Sequence, residues 1–134
     1  MPTNGLVTRK SDFGAQQTLE RLLFAIRTRG LNVFAHIDHA AGAREVGMQL
    51  PPTDLVIFGS AKAGTPLMLA HPEISIDLPL KAIVWQDARG ITSVSYNDPF
   101  WLAERHFDPT QHKDRLAAMA GSITEIVIFA ATAR

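Results

Sequence analysis

Apolar residues recur along this chain at two spacings, every second position and every third or fourth, and the change from one to the other marks out the elements. "GLVTRK" (5–10) reads as a first strand. Leu19, Leu22, Leu23 and Ile26 then fall at i, i+3, i+4 and i+7, one face of a helix. Ser11 or Asp12 is placed to cap its start and Gly30 to end it. In "LNVFAHID" (31–38), Leu31, Val33, Ala35 and Ile37 should point to one side of a strand, with Asn32, Phe34, His36 and Asp38 on the other. Asp38 caps a short helix, "HAAGAREV", that Gly47 ends. "PPTD" is a turn and "LVIFG" (55–59) a buried strand.

Thr65–Pro66 has the form of a helix cap followed by proline at the first helical position. "LKAIVWQ" and "ITSVSYN" make a hairpin around "DARG", where Gly90 can take a left-handed backbone. Asp98–Pro99 opens a helix over "PFWLAERH". Asp108–Pro109, with Gln111 three residues past the aspartate, opens the last one. Its apolar stripe is Leu116, Met119, Ile123, Ile126, Val127 and Ala130, interrupted by Gly121–Ser122.

Strands and helices do not alternate strictly, and the last two strands are a hairpin. The pattern therefore predicts an α+β fold, a mostly antiparallel sheet with the long first and last helices packed on one face. Trp85 and Tyr96 should form a cross-strand pair. Phe34, Phe58, Trp85 and Tyr96 should leave the opposite face too apolar for water, to be covered by a dimer partner, the short helices or a ligand.

At 134 residues without repeats or linkers, the chain is expected to form a single domain over 1–134. Thirteen basic residues balance thirteen acidic ones, so no overall field draws it to nucleic acid or to an anionic membrane. The absence of cysteine excludes disulfides, thiol catalysis and thiolate metal sites. No signal peptide and no run of roughly 18 apolar residues is visible, which makes a cytoplasmic protein the expectation.

Candidate chemistry concentrates in two places. "IFGSAKAGTPLM" (57–68) brackets Lys62 with Gly59 and Gly64, but a phosphate loop of the Walker type needs its lysine directly after the second glycine, where Thr65 stands. A small anion held by backbone N–H groups near Thr65, with Lys62 beside it, is still compatible with the spacing. Against it stands a plain turn: Gly59 ending a strand, Gly64 setting a bend and Thr65 capping a helix, an arrangement far commoner than an anion site.

In "AHIDHA", His36, Asp38 and His39 could hold zinc or iron or supply a general base, although Asp38 is equally explained as a cap. His71 and His106 sit at helix ends, and His112 reads as solvated. Asp77 reads as a turn cap, and a polar ligand held by Asp77 or Lys81 is the lesser alternative. No G-x-S-x-G elbow is present for a hydrolase nucleophile.

The segment 33–106, through "IDHAAGA", "LVIFGSAKAGTPLM", "IDLPLK" and "SYNDPFWLAERH", resembles the domain of unknown function 302 family. The resemblance implies an α+β fold like that of TATA-box-binding-protein domains, often dimeric. It implies neither DNA binding nor any catalytic residue. Asp38, His39, Gly59, Gly64, Asp77 and Lys81 fall on its motif positions, whereas His36 does not.

Residues and resemblance together lead to a domain that binds a small ligand, anions included, or acts as an accessory module and homodimer, with no cofactor identified. The expected ligand-binding set is Asp38, His39, Gly59, Lys62, Gly64 and Thr65, in one hollow between the connections at 38–42 and 59–66. Asp38 would position its turn, Lys62 would supply charge, and backbone groups near Gly64 and Thr65 would donate. His39 would move any proton. The alternatives are a metal-dependent enzyme using His36, Asp38 and His39, and a purely structural dimerisation module.

Overall fold

A computed structural model describes residues 4–133. Its strands are β1 (Leu6–Lys10), β2 (Asn32–Asp38), β3 (Thr53–Gly59), β4 (Leu80–Gln86) and β5 (Thr92–Asn97). They form one sheet in the order β1-β5-β4-β3-β2, with every neighbouring pair antiparallel. The helices are α1 (Ala15–Thr28), α2 (His39–Glu45), α3 (Ala61–Ala70), α4 (Pro99–Glu104) and α5 (Lys113–Ala131), with 3-10 turns at Pro72–Ile76 and Pro109–His112. The predicted α+β architecture is the one observed. Because β1 and β2 are opposite edges of the sheet, α1 has to cross beneath it to join them.

The core lies between the sheet and the α1–α5 pair. Val56 and Phe58 of β3, Leu80, Ala82 and Val84 of β4, and Val94 and Tyr96 of β5 alternate onto that face. They meet Leu22 and Ile26 of α1 and Leu116, Ile123, Ile126 and Val127 of α5, nearly all fully buried. The helical spacing of the sequence had marked these positions. Side chains then fasten the helix ends. Thr18 Oγ1 donates to the Gly14 carbonyl at 2.7 Å and lies 2.7 Å from Ser11 Oγ. The Arg21 guanidinium donates to the carbonyls of Phe129 and Thr132, which the end of α5 leaves without helical partners. The Asp12 carboxylate accepts from the Ala133 N–H at 2.8 Å.

Several local expectations fail, each for an identifiable reason. Neither Ser11 nor Asp12 caps α1. Gly14 stands at the cap position without a side-chain bond, since Ser11 and Asp12 are occupied with Thr18 and Ala133. In β2 a bulge between Val33 and Ala35 reverses the alternation. Val33 pairs with Phe58 on the helix side, whereas Ala35 pairs with Ile57 and Ile37 with Leu55 on the open side.

Trp85 and Tyr96 are not a pair: Trp85 stands opposite Ser93 and Tyr96 opposite Ala82, on different faces. Tyr96 and Phe58 therefore belong to the helix-covered core, and Trp85 donates its indole N–H to Ser95 Oγ at 2.9 Å. Asp108 caps the 3-10 turn through the Thr110 N–H, so α5 starts only at Lys113.

The hairpin turn forms as predicted, with Gly90 at φ +84°. The Asp87 carboxylate accepts from the N–H groups of Ile91 and Arg89. The Ile91 bond, followed by the contributions of Arg89, lowers the Asp87 pKa from the ordinary aspartate value.

Phe58→Ala should lower the unfolding free energy by about 3–5 kcal/mol, whereas Leu69→Ala, at a position 80% exposed, should change it by no more than about 0.5 kcal/mol. Urea titrations of the two variants measure both. Similar midpoints would contradict this location of the core.

Candidate functional site

The register of β2 against β3 decides whether the two predicted binding segments meet. Asp38 pairs with Asp54 and Asn32 with Gly59, so the segments begin at opposite ends of the same strand pair. The five residue steps from Asp54 to Gly59 span roughly 16 Å. The turn at 38–42 and the bend at 59–66 therefore share no hollow. Asp38 does cap α2, accepting from the Ala41 N–H at 2.9 Å. His39 is exposed as the first residue of that helix. His36 turns to Asp54, its Nε2 2.8 Å from Oδ1. His36, Asp38 and His39 do not converge, and among the described residues no three His, Asp or Glu side chains are placed to hold a metal ion.

The glycine-bracketed segment is not a loop. Ser60 caps α3 by accepting from the Ala63 N–H, so the helix begins at Ala61, and Lys62, Gly64 and Thr65 all lie within it. Pro66 sits inside the helix rather than at its first position. A strong cap residue placed before the alanines overrode the proline signal. Gly59 does end the strand, with φ +155°.

A cleft of about 600 Å³ opens beside this bend, walled by α3 on one side and α5 on the other. Gly59, Gly64 and Thr65 of the predicted set line it; Asp38, His39 and Lys62 do not. From α3 come Ala61, Ala63 and Met68 as well, and from α5 Ala118, Met119 and Ser122. Leu78, Pro79 and Leu80 close the end at the start of β4. Phe34 completes it from the β2 bulge, where its ring approaches Gly59. Small residues at several of the lining positions, Ala61, Ala63 and Gly64 on α3 and Ala118 and Ser122 on α5, leave room for the cleft.

Its walls are mainly apolar, with the exposed, charged side chains of Asp114 and Arg115 in the lining. Neither has an ion-pair partner among the described residues. Sequence reasoning missed the α5 contribution altogether. The signal within reach was the run of small residues "AAMAGS" (117–122), which cannot fill a helix–helix interface.

A second polar centre joins two motif segments read separately in the sequence. The Asp77 carboxylate lies 2.6 Å from His106 Nε2 and accepts from the Arg105 guanidinium at 3.1 Å. His106 is nearly buried and Arg105 is largely exposed. Next to it in sequence, Phe107 stacks on His71 with ring centroids 4.2 Å apart, and His112 packs edge-on against both. Asp77 thus links the turn before β4 to the end of α4 instead of capping its own turn. Lys81 donates to the carbonyls of Asp77 and Pro79.

The family described as "Domain of unknown function DUF302" matches residues 7–127, and the chain belongs to it. The chain also matches two proteins named "Fluoride-specific ion channel FluC 1", from Brucella suis biovar 1 (strain 1330) and Brucella abortus biovar 1 (strain 9-941). It is 46% identical to each over 103 residues, 77% of this chain but only 41% and 38% of theirs, so it spans about two fifths of those relatives. The crystal structure of an uncharacterized conserved DUF302 protein from Bacillus stearothermophilus superimposes with a TM-score of 0.81. That match covers 92% of this chain and 95% of the other at 18% identity, a likeness of fold. Among the described residues no helix is long and apolar enough to cross a membrane.

Asp77→Ala should cost about 1–3 kcal/mol of stability, since it strips the nearly buried His106 of its partner. Arg105→Ala, at a side chain 56% exposed, should cost less than about 1 kcal/mol. Chemical denaturation distinguishes the two, and equal losses would show that the buried bond carries no special weight.

Proposed function

We propose that this domain is a binding module for a small, largely apolar molecule seated in the cleft between α3, α5 and the end of the sheet. One observation carries the reading: an apolar hollow of about 600 Å³ with a few polar groups at its edge, within the roughly 300–1,000 Å³ typical of small-molecule sites. Gly59, Gly64 and Thr65 stay in the proposed site, while Asp38 and His39 leave it. Lys62 stands exposed on the first turn of α3 as a neighbouring charge. An accessory role is supported by the relatives, in which a segment like this one shares a chain with sequence of a protein named as a fluoride channel.

The open face of the sheet favours a second reading, self-association. Ala35 and Ile37 of β2, Leu55 and Ile57 of β3, and Ile83 and Trp85 of β4 share that face, opposite the helices. A second copy of the chain, packed face to face, would remove them from water. Five strands about 4.8 Å apart and about 20 Å long offer roughly 450 Å² per copy, about 900 Å² in all, the size of a weak, transient contact. Phe34 does not belong to this face, because the bulge turns it to the cleft.

Anilinonaphthalene sulfonate, an apolar fluorophore with one anionic group, should bind the folded protein at one site. Ala118→Trp, which fills the cleft from an exposed helix position, should abolish that binding with the thermal midpoint unchanged. Undiminished fluorescence in the variant would remove the cleft as the site. Ile57→Asp should halve the mass seen by sedimentation, and an unaltered mass would rule out the open face as an interface between copies.

A further inference from the structure

We infer that the ligand of this cleft is a monoanionic amphiphile, an apolar chain or ring system ending in a carboxylate that pairs with Arg115. The inference rests on the small-molecule reading above and adds the chemical class and orientation of the ligand. The lining is mainly apolar, with Ser60, Thr65 and Ser122 as its uncharged polar side chains and Asp114 and Arg115 as its charged ones. Phe34, Met68, Leu80 and Met119 are among its largest apolar side chains, and two of the four are methionines, whose unbranched side chains adapt to a range of shapes.

The charged side chains of the lining, Asp114 and Arg115, are exposed on the first turn of α5. Asp114 is an acidic residue in the first turn of a long helix, a position where the helix's own partial charge favours a carboxylate. Arg115 has no such local compensation. Its guanidinium has no ion-pair or hydrogen-bond partner among the described residues, and its fork of donors matches a carboxylate.

The same lining argues against other ligand classes. A nucleotide or other polyphosphate would bring several charges to a cleft whose lining holds one cationic side chain. A cationic amphiphile would place its head against Arg115, with only Asp114 in return. A neutral apolar molecule would gain the same burial but leave the guanidinium without a counter-charge. A single anionic group at the end of an apolar body satisfies the apolar lining and the guanidinium together.

Isothermal titration with hexanoate, octanoate and decanoate, all below their micelle concentrations, tests both levels. Each added methylene should tighten binding by about three- to fourfold as it enters the apolar part. Decanoate should bind more tightly than decanol, and decanol more tightly than decyltrimethylammonium. Arg115→Gln, an exposed substitution, should weaken decanoate by about two- to fivefold and leave decanol unchanged. R115E should favour the ammonium compound over decanoate.

If chain length matters and Ala118→Trp blocks every probe, yet decanoate and the ammonium compound bind alike, the carboxylate assignment is overturned while the cleft stands. If affinity is independent of chain length and indifferent to Ala118→Trp, the cleft reading fails and the ligand assignment falls with it.

Discussion

Phe58, Val56, Val84 and Val94 on the sheet, and Leu22, Ile26 and Ile123 beneath it, are completely removed from water, and the rest of the molecule depends on that contact layer. The two edge strands are the first two in the chain and are joined only by α1, so β1 and β2 can both pair with the sheet only if the connection through α1 crosses the inner strands. Burial of its apolar stripe favours that path. α5 completes the layer from the other end of the sequence. Arg21 and Asp12 then tie the last turn of α5 to the first helix and the segment before it. The first and last segments therefore depend on one another.

The cleft follows from the same packing. Two helices that both press on the sheet would normally fill the space at its end with side chains. Here several of the lining positions on α3 and α5 are alanine, glycine and serine, and the space is left open. The Asp77–His106 bond and the His71–Phe107 stack hold the 3-10 turn after α3 against the segment after α4. The far side of the same end of the molecule is thereby fixed. An open cleft beside a braced seam is a favourable place for a ligand, because closing around it requires little reorganisation of the backbone.

Much of this was legible in the chain. Period and caps located the five strands, α1, α2 and α4, and the core faces of α1 and α5, since those signals act within a few residues. Reading failed where a local rule met a stronger neighbour or a distant one. Ser60 outcompeted Thr65–Pro66 for the start of α3, and one extra residue in β2 exchanged the faces of Ala35 and His36. The site was the least legible part. Gly59, Gly64 and Thr65, singled out by composition, line the cleft, but the α5 residues across from them lie some fifty residues away and carry no motif. That Asp38 and His39 lie away from this cleft was not legible, because strand register, which sets distance along the sheet, is not written in either segment alone.

The bulge beside Phe34 has one more consequence. A bare outer strand can template the addition of further strands, and chains that assemble this way grow without limit. At one border of this sheet the irregularity at Val33–Ala35 breaks the regular row of hydrogen-bonding groups; at the other, β1 presents Arg9 and Lys10. Both borders are thereby poor templates for added strands, and fibre growth along them is discouraged.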